Sequence, residues 1–270
     1  MTGAEQLSAP GALTTRFQPI IAERHGQQSV FAFECLTRGP AGTNFERADV
    51  LFEYARLKGI ESQIDRLCIA QALATASTVG TTFDYALNVH ASTLTRSSGF
   101  ASELIRAVEA WGFRPEQIIL EIVEQAPVLN RHDFPVTVAT LRAAGFRIAL
   151  DDVGHGHSNF AMMIDTQPHF LKIDRHFTGG SAGDPMRAAV VDAIVSFAAR
   201  AGSRVVAEGV ELEEDHRHLC SLGIDLLQGY LFAHPMSAGE AATFSISYEG
   251  AGMSTKKKIL LVDDSHRRRC

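Results

Sequence analysis

The residues of this chain that could do chemistry stand at the ends of short apolar runs. Glu34 and Arg38 close one run, Asn88 the next, and Glu121 with Glu124 a third. Asp151 and Asp152, then Lys172 and Asp174, then Glu208 and Glu211, and last Gln228 complete the series. Taken singly, each has an ordinary reading. An Asp-Asp pair is often a turn or a helix cap, an asparagine a turn former, and a strand-end glutamate a solvated rim residue. Taken together they describe many carboxylates, one amide and one lysine. Carboxylates gathered in one cleft repel each other unless cations neutralise them. Hard oxygen donors suit Mg²⁺ or Mn²⁺. Two such ions a few ångströms apart polarise a phosphodiester and activate water. The pattern therefore points to metal-assisted hydrolysis of a phosphoester.

The elements that must position these groups alternate along the chain. Eight β-rich runs are expected: Phe17–Ile21, Val30–Leu36, Tyr85–Val89, Ile118–Val123, Arg147–Val153, Phe170–Ile173, Arg204–Val210 and Leu226–Phe232. Segments of helical period fall near 46–57, 61–77, 101–111, 135–144, 157–165, 186–201 and 213–221. Strands alternating with helices predict a parallel sheet, and eight of them a closed α/β barrel of the (β/α)8 TIM-like kind. In such a barrel the C-terminal strand ends share one face, where active sites are built. The first two runs are an exception. About eight residues, Ala22 to Ser29, part them, too few for a parallel crossover, so they are expected to form an antiparallel hairpin.

Length and composition set the frame. A chain of 270 residues fits one large barrel with tails. With 46% hydrophobic and 21% charged residues it has the composition of a soluble globular protein. The formal net charge of −6 argues against long nucleic acid as a partner, because phosphate tracking needs a basic face. Cys35, Cys68, Cys220 and Cys270 form no CxxC pair, which predicts reduced thiols and no zinc site built from cysteines. Without a long apolar span or a secretory leader, no membrane association and a cytoplasmic location are expected. Residues 1–14 read as a flexible lead-in, 15–245 as the barrel and 246–270 as a linker and tail. Within that tail, Lys256 to Ser265 resembles the first strand and acidic pair of a response-regulator receiver domain, cut short before the rest of that fold.

The motifs also resemble, in order, those of the EAL family. Glu34-Cys35-Leu36 stands where the family writes Glu-Ala-Leu, followed by Thr37-Arg38. Then come Leu-Asn88-Val, Glu121-Ile-Val-Glu124, Asp151-Asp152-Val-Gly-His-Gly, Lys172-Ile-Asp174, Ala-Glu208-Gly-Val-Glu211 and Gln228-Gly-Tyr-Leu-Phe. The resemblance runs from about Phe17 to about Pro235. It implies a modified (β/α)8 barrel with an antiparallel first strand, and hydrolysis of the bacterial messenger cyclic di-GMP to linear pGpG. It implies two divalent cations, Mg²⁺ or Mn²⁺. By motif position, Glu34, Asn88, Glu121 and Asp151 bind one metal, Asp152 reaches the second, and Asp174 lies close to both. Lys172 holds or activates the attacking water, and Glu208 assists as metal contact or base. Arg38 meets a ligand phosphate, while Leu36, Gln228 and Glu211 line the substrate side. Glu124 steadies the loop after Asp152, a loop that implies homodimer contacts. Three departures stand out: Cys35 for alanine, Val153 for phenylalanine, and His155 for threonine or alanine. His155 and His157 read as loop residues rather than metal ligands. The competing reading is a module that binds cyclic di-GMP without cutting it, and a receiver domain is a further partner implied by the tail.

Overall fold

Two residues, His25 and Gly26, reverse the chain between the first two strands, both at positive φ (53° and 76°). That geometry matches the twist of a tight antiparallel hairpin. The computed structural model describes residues 7, 9, 11–96, 99–123, 133–154 and 160–246. β1 (Thr14–Arg24) and β2 (Gln27–Arg38) run antiparallel over their whole length, so the hairpin expected from the short gap is present, with longer strands. β3 (Tyr85–His90), β4 (Ile118–Val123), β5 (Arg147–Val153), β6 (Phe170–Ile173), β7 (Arg204–Ala207) and β8 (Leu226–Leu227) follow in parallel order. β1 also pairs antiparallel with β8, which closes an eight-strand barrel.

The last two strands are shorter than the apolar runs that predicted them. β7 stops at Ala207 rather than Val210, and β8 at Leu227 rather than Phe232. Beyond them the two chains cross closely. A Cβ on Gly229 would fall 2.1 Å from the Val210 carbonyl oxygen. Only glycine permits that approach, and it folds both segments over the barrel mouth instead of extending the sheet.

Helices α1 (Ala48–Lys58), α2 (Glu61–Val79), α3 (Ala91–Arg96), α4 (Phe100–Ala110), α5 (Asp133–Ala143), α6 (Phe160–Thr166), α7 (Arg175–Thr178), α8 (Pro185–Ala201), α9 (Glu213–Ser221) and α10 (Ala238–Ala242), with short 3-10 helices at Asn44–Glu46 and Pro115–Gln117, complete the described elements. Three of these, α3, α7 and α10, are too short to show a helical period in sequence. Two carry local caps instead: Asp174 accepts from the His176 N–H, and Ser237 forms a reciprocal box with Glu240. None of the described helices is long and apolar enough to cross a membrane. Leu7 and Leu13, inside the stretch read as a lead-in, are buried with Leu51, Ala55, Ile64 and Cys68 under α1 and α2.

Alternation along the strands divides the core in two. Outward-facing residues such as Phe17, Phe33, Leu87, Leu120, Ile148 and Leu171 pack under the helices. Inside, one residue from each strand forms a single layer: Ile20, Ala32, Ala86, Ile119, Ala149, Phe170, Val206 and Leu226. Three alanines leave the volume that the Phe170 ring needs, and the interior is filled as in other barrels of this size.

A buried polar clamp ties α2 to β3. Asp65 accepts from the His90 backbone N–H (3.0 Å), lies 2.8 Å from His90 Nδ1 and accepts from Thr93 Oγ1 (2.5 Å). Burial opposes charge on His90, but the hydrogen bond and charge of Asp65 outweigh it and the imidazole pKa is raised. A raised histidine pKa adds stability that is complete below the ordinary value and fades as pH rises through the folded one. We therefore expect His90→Gln to cost about 1.5 kcal/mol at pH 6, as for a charge-assisted hydrogen bond, and less at pH 9. Urea unfolding of both proteins across that range checks it; a pH-independent difference would contradict the charge on His90.

Candidate active site

Two residues beyond the inner apolar layer, towards the C-terminal strand ends, the same face of every parallel strand carries a polar side chain. Ala32 leads to Glu34, Ala86 to Asn88, Ile119 to Glu121, Ala149 to Asp151, Phe170 to Lys172, Val206 to Glu208 and Leu226 to Gln228. Period-2 alternation makes these the next layer inside the barrel. β1 runs the other way, so its member lies two residues before Ile20: Gln18, opposite Glu34 in register. Sequence reasoning missed Gln18 because it read every strand towards its C-terminus. On β2 the same face continues to Leu36, half-buried, and Arg38.

Lys172 is the centre of this layer. Only 1% of its side chain is exposed, and its Nζ lies 2.7 Å from Glu121 Oε2, 2.7 Å from Glu208 Oε1, 3.3 Å from Asp151 Oδ1 and 3.4 Å from Glu34 Oε2. Glu34 also accepts from Asn88 Nδ2 (3.1 Å) and Gln228 Nε2 (2.7 Å). Residues 34, 88, 121, 151, 172, 208 and 228, which span most of the sequence, therefore meet in one hydrogen-bonded cluster.

Burial and the four carboxylates pull Lys172 in opposite directions. Burial disfavours its charge, but the carboxylates prevail and its pKa is raised well above the usual lysine value. Burial likewise works to raise Glu34, Glu121 and Glu208. In Glu34, Lys172 and the two amide donors overcome it and the pKa is lowered. In Glu121, burial with the charges of Glu34 and Asp151 wins and the pKa is raised well above the usual range. Glu208 is pushed up to about 8 by burial with Asp151 and Glu34, against the pull of Lys172. One ammonium is too little positive charge for this many carboxylates, so part of the cluster holds protons at neutral pH.

The strand β5 brings two consecutive aspartates to the site, which regular alternation forbids. Its pairing with β6 shifts register between Leu150 and Val153, and Asp152 adopts a left-handed φ of 51°. Such a bulge re-aims side chains, and a non-glycine residue held there is a feature of functional sites. As a result Asp151, Asp152 and Glu208 each offer an oxygen within 4.8 Å of the others. This all-oxygen donor set, short of positive charge, fits hard divalent cations. Gln228 Oε1 adds a buried acceptor with no hydrogen-bond partner.

A cavity of about 260 Å³ opens on this layer, lined by Glu34, Asp151, Lys172, Asp174, Glu208 and Glu211 among others. Asp174 lines it while capping α7, and Glu211 lies 3.3 Å from Arg175 Nη2. Gln18, Arg175 and Tyr230 also line it and were not among the expected site residues. Arg175 directly follows the Lys-Ile-Asp motif, and Tyr230 lies within the Gln-Gly-Tyr motif, so adjacency to those motifs was the available signal. Arg38 lines a separate groove with Thr43, Asn44 and Arg47, so the structure does not bring it into the carboxylate cavity. Glu124, His155 and His157 lie outside the described residues, as do the linker from 247 onward and the receiver-like tail.

A closed TIM-like barrel with an antiparallel first strand and a carboxylate-ringed lysine at its C-terminal mouth is the class of protein that fold and site define. The EAL domain family model matches residues 4–235, and the chain belongs to that family. It is 38% identical over 121 residues to the probable cyclic di-GMP phosphodiesterase PdeD of Escherichia coli, covering 45% of this chain and 22% of that protein. It is 31% identical over 170 residues to the cyclic di-GMP phosphodiesterase RocR of Pseudomonas aeruginosa, covering 62% of this chain and 43% of that protein. The chain thus spans less than half the length of these relatives. Among solved structures, a standalone EAL protein from Vibrio cholerae in its c-di-GMP-bound form superposes with a TM-score of 0.75 at 26% identity, covering 84% of this chain and 93% of that one. A manganese and cyclic di-GMP complex of Klebsiella pneumoniae BlrP1 gives 0.73 at 29% identity, covering 85% and 58%.

Proposed function

We propose that this chain hydrolyses cyclic di-GMP to linear pGpG, in cytoplasmic second-messenger signalling, using two Mg²⁺ or Mn²⁺ ions. The observation that carries this reading is the polar layer itself: an unbroken ring of inward side chains, rich in carboxylates, around a buried lysine. Glu34, Asn88, Glu121 and Asp151 would hold one cation, and Asp152 with Glu208 the second, with Asp174 close by. Bound cations supply Lewis acidity to the phosphodiester and acidify the attacking water.

The protein's own groups do the rest. Lys172, kept charged by its carboxylates, holds its protons at Nζ and stabilises negative charge developing at the phosphorus centre. Glu208, 2.7 Å from Lys172, would have its raised pKa drawn back down by cations bound beside it, and its carboxylate would then take the proton released by water. Gln228 and Glu211 line the substrate side of the cavity. Leu36 continues the inward face of β2, whereas Arg38, in the neighbouring groove, would meet a phosphate only where the ligand extends beyond the carboxylate cavity. Glu124 would steady the loop after Asp152; the family resemblance implies a homodimer, and the resemblance of the tail a regulatory receiver domain.

The direct test mixes the full chain with cyclic di-GMP and Mn²⁺ and quantifies pGpG by chromatography. Product should form, cease on chelation with EDTA, and return when Mn²⁺ or Mg²⁺ is restored in excess. Tight binding with no product would instead identify a binding module, and product insensitive to EDTA would remove the metals from the mechanism.

A further inference from the structure

At the other end of the barrel stands a group of different chemistry. The β1–β2 turn lies at the N-terminal ends of the parallel strands, because Thr14 pairs with Arg38 at one end and Arg24 with Gln27 at the other. Glu23, beside that turn, meets α9, which carries His216 and Cys220 one turn apart on one face. His216 Nε2 lies 2.6 Å from Glu23 Oε2, and the ligand atoms of Glu23, His216 and Cys220 all fall within 4.8 Å of one another.

We propose that Glu23, His216 and Cys220 form a second metal site, independent of the phosphodiesterase reading, that takes one zinc-class divalent cation. A thiolate, an imidazole and a carboxylate are the ligand types of zinc, with a water completing the tetrahedron. The oxygen-only cluster at the barrel mouth has the opposite preference. The surroundings resemble a prepared ligand shell. Glu213 Oε1 lies 3.4 Å from His216 Nδ1 and the Phe232 ring lies edge-on to the imidazole, so that Nδ1 faces a carboxylate while Nε2 faces the site. Gln28 Nε2 donates to Glu23 Oε2 (2.8 Å) and fixes that carboxylate. Only 6% of the His216 side chain is exposed, while Glu23 and Cys220 keep partial exposure, which leaves a path for an ion and its water. Cys220 lies in the last full turn of α9, where the helix dipole favours a cation. Binding joins α9 to the β1 end of the seam that closes the barrel, so it should raise the melting temperature. The cysteine spacing alone predicts no zinc site, because the partners are a histidine and a glutamate contributed by different elements.

Cobalt(II) titration of the chelator-stripped full chain tests this, since a thiolate ligand gives a charge-transfer band that oxygen ligands do not. One equivalent of band should develop in the wild type, in Cys270→Ser and in the mouth variant Asp151→Asn, and zinc should abolish it. Cys220→Ser should lack it, and Glu23→Gln should need at least the 10–100-fold more cobalt that loss of a supporting group costs. Absence of the band in wild type, its persistence in Cys220→Ser, or an unchanged titration in Glu23→Gln would each overturn the site. If Cys220→Ser loses its fold by circular dichroism, the Glu23→Gln titration decides alone.

Discussion

Asp151→Asn lowers kcat on cyclic di-GMP by about 1,000-fold or more, beyond the 10–100-fold typical of groups that merely support a metal ligand. The substitution keeps shape and removes one charge. Asp151 would hold the first cation and stands next to the donors of the second: it shares the Lys172 cluster with Glu34 and Glu121, and an oxygen neighbourhood with Asp152 and Glu208. Stability should move the other way. The Asp151 charge is one of the causes that raise Glu121 and Glu208, so its loss relieves repulsion and the metal-free melting temperature should hold or rise. Falling activity with steady stability separates a lost ligand from a damaged fold. Turnover above a tenth of wild type would show that Asp151 is no metal ligand.

Lys172→Met produces the largest loss of stability among these variants. Methionine fills similar volume, but it leaves Glu34, Glu121, Asp151 and Glu208 with no internal cation. Removing one partner from a buried ionic cluster typically costs 3–5 kcal/mol. Because part of this cluster already carries protons, the lower end, about 3 kcal/mol, is expected in metal-free protein. Mn²⁺ should then restore more stability to the variant than it adds to wild type, since the ions replace the missing positive charge. Hydrolysis should stay low even with Mn²⁺ saturating, because among the described residues no other lysine lines the site. Thermal unfolding with and without Mn²⁺, beside product assays, reads both effects. An equal Mn²⁺ response in the two proteins would mean that the cations bind away from Lys172.

How much of this was legible in sequence differs between the two ends of each strand. The runs Ile118–Val123, Arg147–Val153 and Phe170–Ile173 match β4, β5 and β6 residue for residue, because buried parallel strands are continuous apolar stretches flanked by turn signals. The runs that failed, after Ala207 and Leu227, are also apolar. There the deciding fact is that the Val210 backbone packs where any side chain on residue 229 would stand, which involves a partner more than fifteen residues away. Gln18 shows the same limit. It looks like any glutamine until an antiparallel pairing sets it opposite Glu34.

Alternation with period 2 and the repeated placement of one polar residue after each apolar run belong to the sequence alone, and they were enough to name Glu34, Asn88, Glu121, Asp151, Lys172, Glu208 and Gln228. Tertiary structure decided what these residues do to one another. Closure of the barrel set four carboxylates within 3.4 Å of one ammonium, a bulge turned both aspartates of β5 to the same side, and a helix laid His216 and Cys220 beside Glu23. The reason is the range of the forces concerned. Strand periodicity is written in neighbouring residues, whereas burial and Coulomb interactions depend on distances in space that only the folded chain defines.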